Sequence, residues 1–146
     1  RDAMAATNAT VLSDGAGGVL AGAVARELLD AARAAGRKSI VHPWGPALER
    51  FAGADIALLD MVQADGTADA ARALRDRHGF DAVAVAADET TLLAIDARGQ
   101  HAVRVAPGWR LDGSAGRGAA LATLAAAIAA GADFPAALDY LGDSGF

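Results

Sequence analysis

The chain has 146 residues, a length that suffices for one domain with one hydrophobic core. Its net charge is −5 and its longest basic cluster is the pair Arg37-Lys38, which argues against a nucleic-acid surface. The sequence has no cysteine and no signal-peptide pattern, and its alanine-rich apolar runs are too short or too weakly hydrophobic to span a bilayer. It therefore predicts no disulfide, no membrane contact and a cytoplasmic location.

Short apolar runs alternate with helical periodicities along the first half of the chain. Residues 10–13 predict a strand that ends in the turn Asp14-Gly15. Residues 19–35 predict a helix, because apolar residues recur there at helical spacing and Gly36 follows. The remaining predicted elements of this half are strands over residues 38–41 and 56–59 and a helix over residues 67–78.

The second half continues the alternation and adds a hairpin-like section. Residues 81–87, 91–95 and 102–105 predict three strands, with a turn over residues 97–100 between the last two. A helix over residues 119–130 is expected to end at Gly131, and a short helix is expected near residues 134–141.

The hydrophobic pattern of two strands indicates how the sheet is built. Residues 56–59 and 82–85 are apolar throughout, which is typical of strands buried on both faces of a parallel sheet. The hairpin-like section over residues 81–105 favours some antiparallel strands at one edge. We therefore predict one α/β domain over residues 1–146, a three-layer, doubly wound and mostly parallel sheet with some antiparallel edge strands.

A glycine-rich run precedes the helix predicted over residues 119–130. A glycine-rich turn that enters a helix presents free backbone N–H groups and the positive end of the helix dipole. The run therefore predicts an anion or nucleotide site, although such turns are also simple helix entries. The candidate residues are Gly113, Ser114, Ala115, Gly116, Arg117 and Gly118.

Several segments, in order along the chain, resemble one known family. The run Ser13-Asp14-Gly15-Ala16-Gly17-Gly18-Val19-Leu20 is similar to that family's Ser-Asp-Tyr-x-Lys-Gly-Val-Leu, and His42-Pro43-Trp44-Gly45 to its Asp-Pro-Lys-Gly. The run Asp112-Gly113-Ser114-Ala115-Gly116-Arg117-Gly118 aligns with its Asp-x-x-Gly-Ala-Gly-Asp. The family is the ribokinase-like (PfkB-type) carbohydrate kinases, and the chain resembles most the C-terminal half of the heptose-7-phosphate kinase branch.

The departures from the family pattern fall on positions that, in the family, take part in catalysis or in binding magnesium and nucleotide. In the family, an asparagine and a glutamate help to order magnesium and phosphate, and this chain has Asp60 and Gln63 there. Glu89 replaces a glycine that lies against the nucleotide, and its carboxylate would repel phosphate oxygens. Gly118 replaces the catalytic aspartate. The resemblance thus implies no catalytic and no metal-binding residue, and a weakened ATP and Mg²⁺ site.

Three functions follow from the resemblance. The first is a catalytically degenerate sugar-kinase-like protein acting as a structural or regulatory subunit. The second is the ATP-binding half of an active carbohydrate kinase that a partner chain completes, and the third is a nucleotide- or anion-binding module without transfer activity. Because the sugar-binding N-terminal half and the lid of the family are missing, the expected partner is a second copy or a kinase-half protein.

Overall fold

A computed structural model describes residues 9–13, 22–43, 48–59, 67–105 and 114–143 of the chain. These residues form six strands, four α-helices and one short 3₁₀ helix over Glu49–Phe51. The strands are β1 (Ala9–Ser13), β2 (Lys38–His42), β3 (Ile56–Leu59), β4 (Ala82–Ala86), β5 (Thr91–Asp96) and β6 (Gly99–Arg104). The helices are α1 (Gly22–Ala34), α2 (Ala68–His78), α3 (Ser114–Ala129) and α4 (Phe134–Asp143).

The six strands form one sheet in the order β1-β2-β3-β4-β5-β6. Neighbouring strands from β1 to β4 are parallel, whereas β5 pairs antiparallel with β4 and β6 antiparallel with β5. The helix α1 connects β1 to β2 and α2 connects β3 to β4, so the parallel strands are joined by crossovers, as parallel pairing requires. The predicted α/β class, including the antiparallel edge, is confirmed.

Alternate residues of the central strands supply two separate hydrophobic cores. Ile56 and Leu58 of β3 contribute to one core, while Ala57 and Leu59 contribute to the other. The first core packs against α3 and α4 on one face, and the second packs against α1, α2 and the 3₁₀ helix on the opposite face. All of β3 and β4 is buried, which explains why their sequences are apolar at every position.

The helix α2 is bounded by two local signals that are visible in the sequence. The Thr67 hydroxyl accepts a hydrogen bond from the Ala70 N–H at 3.1 Å and satisfies a donor of the first turn. At the other end Gly79 adopts φ +69°, a left-handed conformation that favours glycine, and its N–H donates to the Arg75 carbonyl. The predicted helix over residues 67–78 is confirmed, with Thr67 as its cap.

Strand β6 begins earlier than the sequence pattern predicted. We expected a strand over residues 102–105, but the structure pairs Gly99 with Asp96 and continues the ladder to Arg104. The Asp96 carboxylate explains the difference, because its Oδ1 accepts hydrogen bonds from the N–H groups of Arg98 at 2.8 Å and Gly99 at 3.2 Å. The side chain thus closes a tight turn that hydrophobic periodicity does not reveal.

Helix α3 also begins earlier than predicted and takes in most of the glycine-rich run. We expected the helix over residues 119–130 to follow a turn, but Ser114–Ala129 is helical. Extending a helix by one residue adds one hydrogen bond, and the alanine-rich segment favours this extension. Gly116 and Gly118 each lower the stability of the helix by about 1 kcal/mol relative to alanine, and the extension of the helix offsets this cost.

Truncation of Leu59 should measure how much the α1–α2 side of the sheet contributes to stability. Leu59 is 0% exposed, so Leu59→Ala leaves a cavity and is expected to lower the free energy of unfolding by about 2–5 kcal/mol. Val24→Ala is the control, because Val24 is 45% exposed and its loss should change stability by no more than about 0.5 kcal/mol. Urea denaturation followed by circular dichroism checks both values. Equal losses for the two variants would contradict the two-core packing.

Candidate functional site

The carboxyl ends of five strands lie on one edge of the sheet. The four parallel strands β1 to β4 end there, and β6 also ends there because its last residue, Arg104, pairs with Thr91 at the start of β5. We call this the carboxyl edge. In open α/β sheets, ligands bind in the crevice outside the carboxyl ends of the strands. The carboxyl edge is therefore the candidate functional site.

The amino-terminal end of α3 lies toward this same edge. Ile128, near the end of α3, lines a cleft together with Ile56 and Ala82, which begin β3 and β4 on the opposite edge. Helix α4 then runs back toward the carboxyl edge, because Gly142 near its end lies close to the end of β6. A Cβ added to Gly142 would be 3.4 Å from the Arg104 carbonyl oxygen. The helix α3 therefore runs from the carboxyl edge to the opposite edge and presents its first turn at the candidate site.

The first turn of α3 contains most of the predicted anion-binding residues. Ser114, Ala115, Gly116 and Arg117 open the helix, and Gly118 is its fifth residue, whereas Gly113 lies outside the described residues. The first four N–H groups of a helix have no intrahelical acceptor, and no acidic residue stands in this turn. The arrangement has the backbone chemistry that favours an anion.

The loop between β4 and β5 adds two carboxylates to the carboxyl edge. The Asp88 Oδ1 accepts hydrogen bonds from the Thr90 N–H at 2.8 Å and the Thr90 hydroxyl at 3.1 Å. The Thr90 carbonyl in turn accepts a hydrogen bond from the Val105 N–H at 2.8 Å, which ties the loop to the end of β6. Glu89, next to Asp88, is exposed.

The Asp88 carboxyl remains ionised to a lower pH than an unperturbed aspartate, because its pKa is lowered. The hydrogen bond from the Thr90 backbone N–H is the main cause that lowers the pKa of Asp88 below its usual value, and side-chain hydrogen bonds from Thr91 and Thr90 act in the same direction. Two neighbouring carboxylates disfavour a phosphate at this loop. Of the two elements described at the carboxyl edge, the first turn of α3 is therefore the one whose chemistry favours an anion.

Other residues of the sequence motifs are placed only in part. His42 is the half-buried last residue of β2 and Pro43 is buried after it, both on the carboxyl edge. The remaining motif residues fall in segments that follow the strands β1, β2, β3 and β6 in the chain and lie outside the described residues. They are Asp14, Gly15, Gly17, Gly18, Trp44, Gly45, Asp60, Gln63 and Asp112.

The described residues offer no ready metal centre. Over residues 9–13, 22–43, 48–59, 67–105 and 114–143, no group of three or more His, Asp or Glu side chains is close enough to hold an ion. Within the same ranges, no helix has the length and the apolar character needed to cross a membrane.

A polar network on the opposite edge of the sheet was missed by the sequence analysis. The Asp55 Oδ2 accepts hydrogen bonds from the Ser39 N–H at 2.8 Å and from the Ser39 hydroxyl at 3.2 Å, and that hydroxyl accepts one from the Asp55 N–H at 3.0 Å. Asp81 occupies the position before β4 that Asp55 occupies before β3. An acidic residue directly before each apolar strand was the signal that could have indicated this network.

The chain resembles part of certain longer proteins. No family model matches it. It is 36% identical over 143 residues to the bifunctional protein HldE of Acidiphilium cryptum, in an alignment that covers 89% of this chain and 29% of that protein. The bifunctional protein HldE of Paramagnetospirillum magneticum is 37% identical over 139 residues, with 87% of this chain and 28% of that protein covered. The chain thus spans less than a third of the length of these curated relatives.

Solved structures with the same fold are sugar and nucleoside kinases. A PfkB protein from Polaromonas sp. JS666 superposes with a TM-score of 0.69 at 20% identity, over 97% of this chain and 53% of that one. Adenosine kinase from Trypanosoma brucei brucei gives a TM-score of 0.74 at 16% identity, over 98% of this chain and 52% of that one.

These comparisons define the class of the protein. The chain has the ribokinase-like α/β fold of the PfkB carbohydrate kinases, over about half the length of the matched kinase structures. Its sequence relatives are bifunctional HldE proteins, so it is a sugar-kinase-like chain. The resemblance inferred from the sequence motifs is confirmed.

Removal of the Asp88 carboxyl should change stability in a pH-dependent way. Because the folded-state pKa of Asp88 is lowered, its contribution to stability is present above the unfolded-state value near 3.8 and is lost as the pH falls through the lower folded-state value. Asp88→Ala should therefore lower the melting temperature at pH 7, and the difference from the native chain should vanish in strong acid. Thermal melts between pH 2 and pH 7, in steps of about one pH unit, provide the test. A difference that persists undiminished at the lowest pH would contradict it.

Proposed function

We propose that this chain is a catalytically degenerate sugar-kinase-like protein that acts as a structural or regulatory subunit. The observation that carries the proposal is the position of Gly118. The resemblance aligns Gly118 with the catalytic aspartate of the family, and it lies in α3, which opens at the carboxyl edge where an α/β enzyme does its chemistry. A glycine cannot accept a proton from a sugar hydroxyl.

The acidic side chains described at the carboxyl edge are poor substitutes for the missing base. Phosphoryl transfer to a hydroxyl requires positioning, charge neutralisation and a carboxylate that accepts the proton. Asp88 is held by Thr90 and its lowered pKa makes it a weak base. Glu89 is exposed beside it, in a loop that resemblance places against the nucleotide. Loss of a general base costs about 10²–10⁴ in rate.

Nucleotide binding without transfer is the part of kinase function that this site favours most. The first four backbone N–H groups of α3 have no acceptor within the helix, and their chemistry does not depend on side chains. The carboxylates of Asp88 and Glu89 oppose a triphosphate at the neighbouring loop. A weakened ATP and Mg²⁺ site is therefore part of the proposal, as is a cytoplasmic location.

Restoration of the aspartate tests whether Gly118 alone accounts for the lost activity. We expect no phosphorylation of heptose 7-phosphate with Mg-ATP by the native protein, and none by Gly118→Asp, because Glu89, Asp60 and Gln63 remain altered. Gly116→Asp, two residues away in the same helix, is the matched control for the added charge. The assay is ADP release with and without sugar phosphate, alongside calorimetry with Mg-ATP and ADP.

Each outcome of that assay selects one function. Turnover by the native protein would overturn the proposal of degeneracy. Turnover by Gly118→Asp but not by Gly116→Asp would favour the ATP-binding half of a kinase that a partner completes. Saturable ATP binding without turnover, by a protein that associates with no partner, would favour the nucleotide-binding module over the subunit role.

Association with another protein copy or chain follows from the two edges of the sheet. The edge strand β6 carries Gln100, His101 and Arg104, and such polar and charged residues protect an edge against pairing. Strand β1 has no charged residue, and Val11, beside Ile40 on the α3–α4 face, is 41% exposed. Edge β1 is therefore the better candidate for an interface.

Strand β1 also carries a buried hydroxyl, on the face of the sheet opposite to Val11. Within the described ranges, the buried Oγ1 of Thr10 has no hydrogen-bond partner. An unsatisfied buried polar group costs about 1–3 kcal/mol, and a partner that supplies a donor or acceptor removes this cost. We therefore propose that β1 pairs with a second copy of the chain or with a kinase-half protein.

A lysine on β1 should weaken this association. Val11→Lys places a charge on the proposed interface, whereas Ala102→Lys places the same charge at an exposed position of β6, the other edge. Sedimentation velocity and pull-down should show loss of association for Val11→Lys and none for Ala102→Lys. A native protein that stays monomeric and captures no kinase-half protein would refute the interface, as would equal effects of the two lysines.

A further inference from the structure

A cleft of about 440 Å³ opens on the edge of the sheet opposite the carboxyl edge. We call this the amino edge, since β2, β3 and β4 begin there. The cleft lies between the starts of β3 and β4, the β5–β6 turn and the α3–α4 turn. Its apolar lining includes Ile56, Ala82, Ile128, Ala132 and Phe134. Its volume falls in the range of small-molecule sites in proteins, about 300–1,000 Å³.

The backbone around the cleft is already engaged in hydrogen bonds. In the α3–α4 turn, the Gly131 N–H donates to the Ile128 carbonyl and the Ala132 N–H donates to the Ala127 carbonyl, both at 3.0 Å. At the start of β4, the Ala82 N–H donates to the Asp55 carbonyl at 2.9 Å. These three N–H groups are therefore not available to a ligand in the cleft.

The charged side chains of the cleft leave an excess of negative charge. Four aspartates and two cations line it, and Arg98 is engaged by two of the acids, with nitrogens 4.0 Å from Asp96 and 3.7 Å from Asp133. Lys38 approaches Asp55 at 4.0 Å. Among the ion pairs of the described residues, none joins Asp81 to either of these two cations, although Lys38 is near enough to lower the pKa of Asp81.

Asp55 and Asp81 face each other closely. The two hydrogen bonds from Ser39 fix the Asp55 carboxylate, and Asp81, directly before the paired strand β4, lines the same cleft. Partial burial is the largest cause that raises the pKa of Asp81, and Asp55 raises it further, whereas Lys38 and Arg75 lower it. Two adjoining carboxylates of this kind are stabilised by a cation placed between them.

We propose that the cleft binds a small organic cation, a primary amine with an apolar body, whose ammonium group lies between Asp55 and Asp81. The apolar body packs against Ile56, Ile128 and Phe134, which a bare metal ion would leave uncovered. An ammonium group has three donors, enough for hydrogen bonds to both carboxylates. The site is on the edge of the sheet opposite the candidate kinase-like site, so it is independent of the proposed function.

A pair of isosteric ligands tests the charge requirement. Phenethylamine has an ammonium group on a short aromatic body, and 2-phenylethanol has the same body without charge. Calorimetry or NMR titration of the protein in its natural full-length form should show saturable binding of phenethylamine. Its affinity should exceed that of 2-phenylethanol by up to about fivefold, the effect of an exposed ion pair.

Two variants locate the binding. Asp81→Asn should remove most of the preference for the amine, while Asp69→Asn, which removes an acid that is 98% exposed on α2, should leave it unchanged. Ala132→Phe fills the cleft and should weaken both ligands. Circular dichroism verifies that each variant is folded.

The proposal is overturned by any of three results. These are the absence of saturable phenethylamine binding, equal affinity for the amine and the alcohol, and a preference for the amine that survives Asp81→Asn.

Discussion

The structure depends on the burial of strands β3 and β4 on both faces of the sheet. Their backbone groups can be buried because neighbouring strands satisfy them, and alternate side chains then serve two different cores. Ala57 and Leu59 meet the α1–α2 layer, while Ile56 and Leu58 meet the α3–α4 layer. Neither helix layer could pack without the other, since an exposed face would leave large apolar side chains in water. Strands β3 and β4 therefore contribute to both hydrophobic cores at once.

The sheet has two polar regions, one at each edge, and the length of its strands separates them. At the carboxyl edge, the first turn of α3 favours an anion, while Asp88 and Glu89 disfavour one at the adjacent loop. At the amino edge, Asp55 is held by Ser39 beside Asp81, next to an apolar cleft. Parallel strands produce this polarity, because all their starts share one edge and all their ends share the other. Residues at one edge can thus change without any direct contact with the residues of the other edge.

Local patterns predicted most of the elements. They failed where side-chain hydrogen bonds or the extension of a helix decided the boundary. The bounds of β3 were predicted from its apolar run, and Thr67 and Gly79 marked the ends of α2. The start of β6 was wrong, because the Asp96 carboxylate closes a turn that has no hydrophobic signature. The glycine-rich run was expected as a turn, yet residues 114–118 belong to α3. The anion site assigned to that run stays a prediction, with Gly113 outside the described residues.

The sequence by itself determined the α/β class, the order of strands and helices, and the resemblance to the PfkB carbohydrate kinases. It did so because periodicity, caps and ordered motifs are local properties of the chain. The tertiary structure alone decided which edge each polar group occupies and which groups meet. Asp55 and Asp81 are 26 residues apart in sequence and come together because β3 and β4 pair in register. Contacts of that kind depend on the register of pairing between distant strands, which the local pattern of a single strand does not fix.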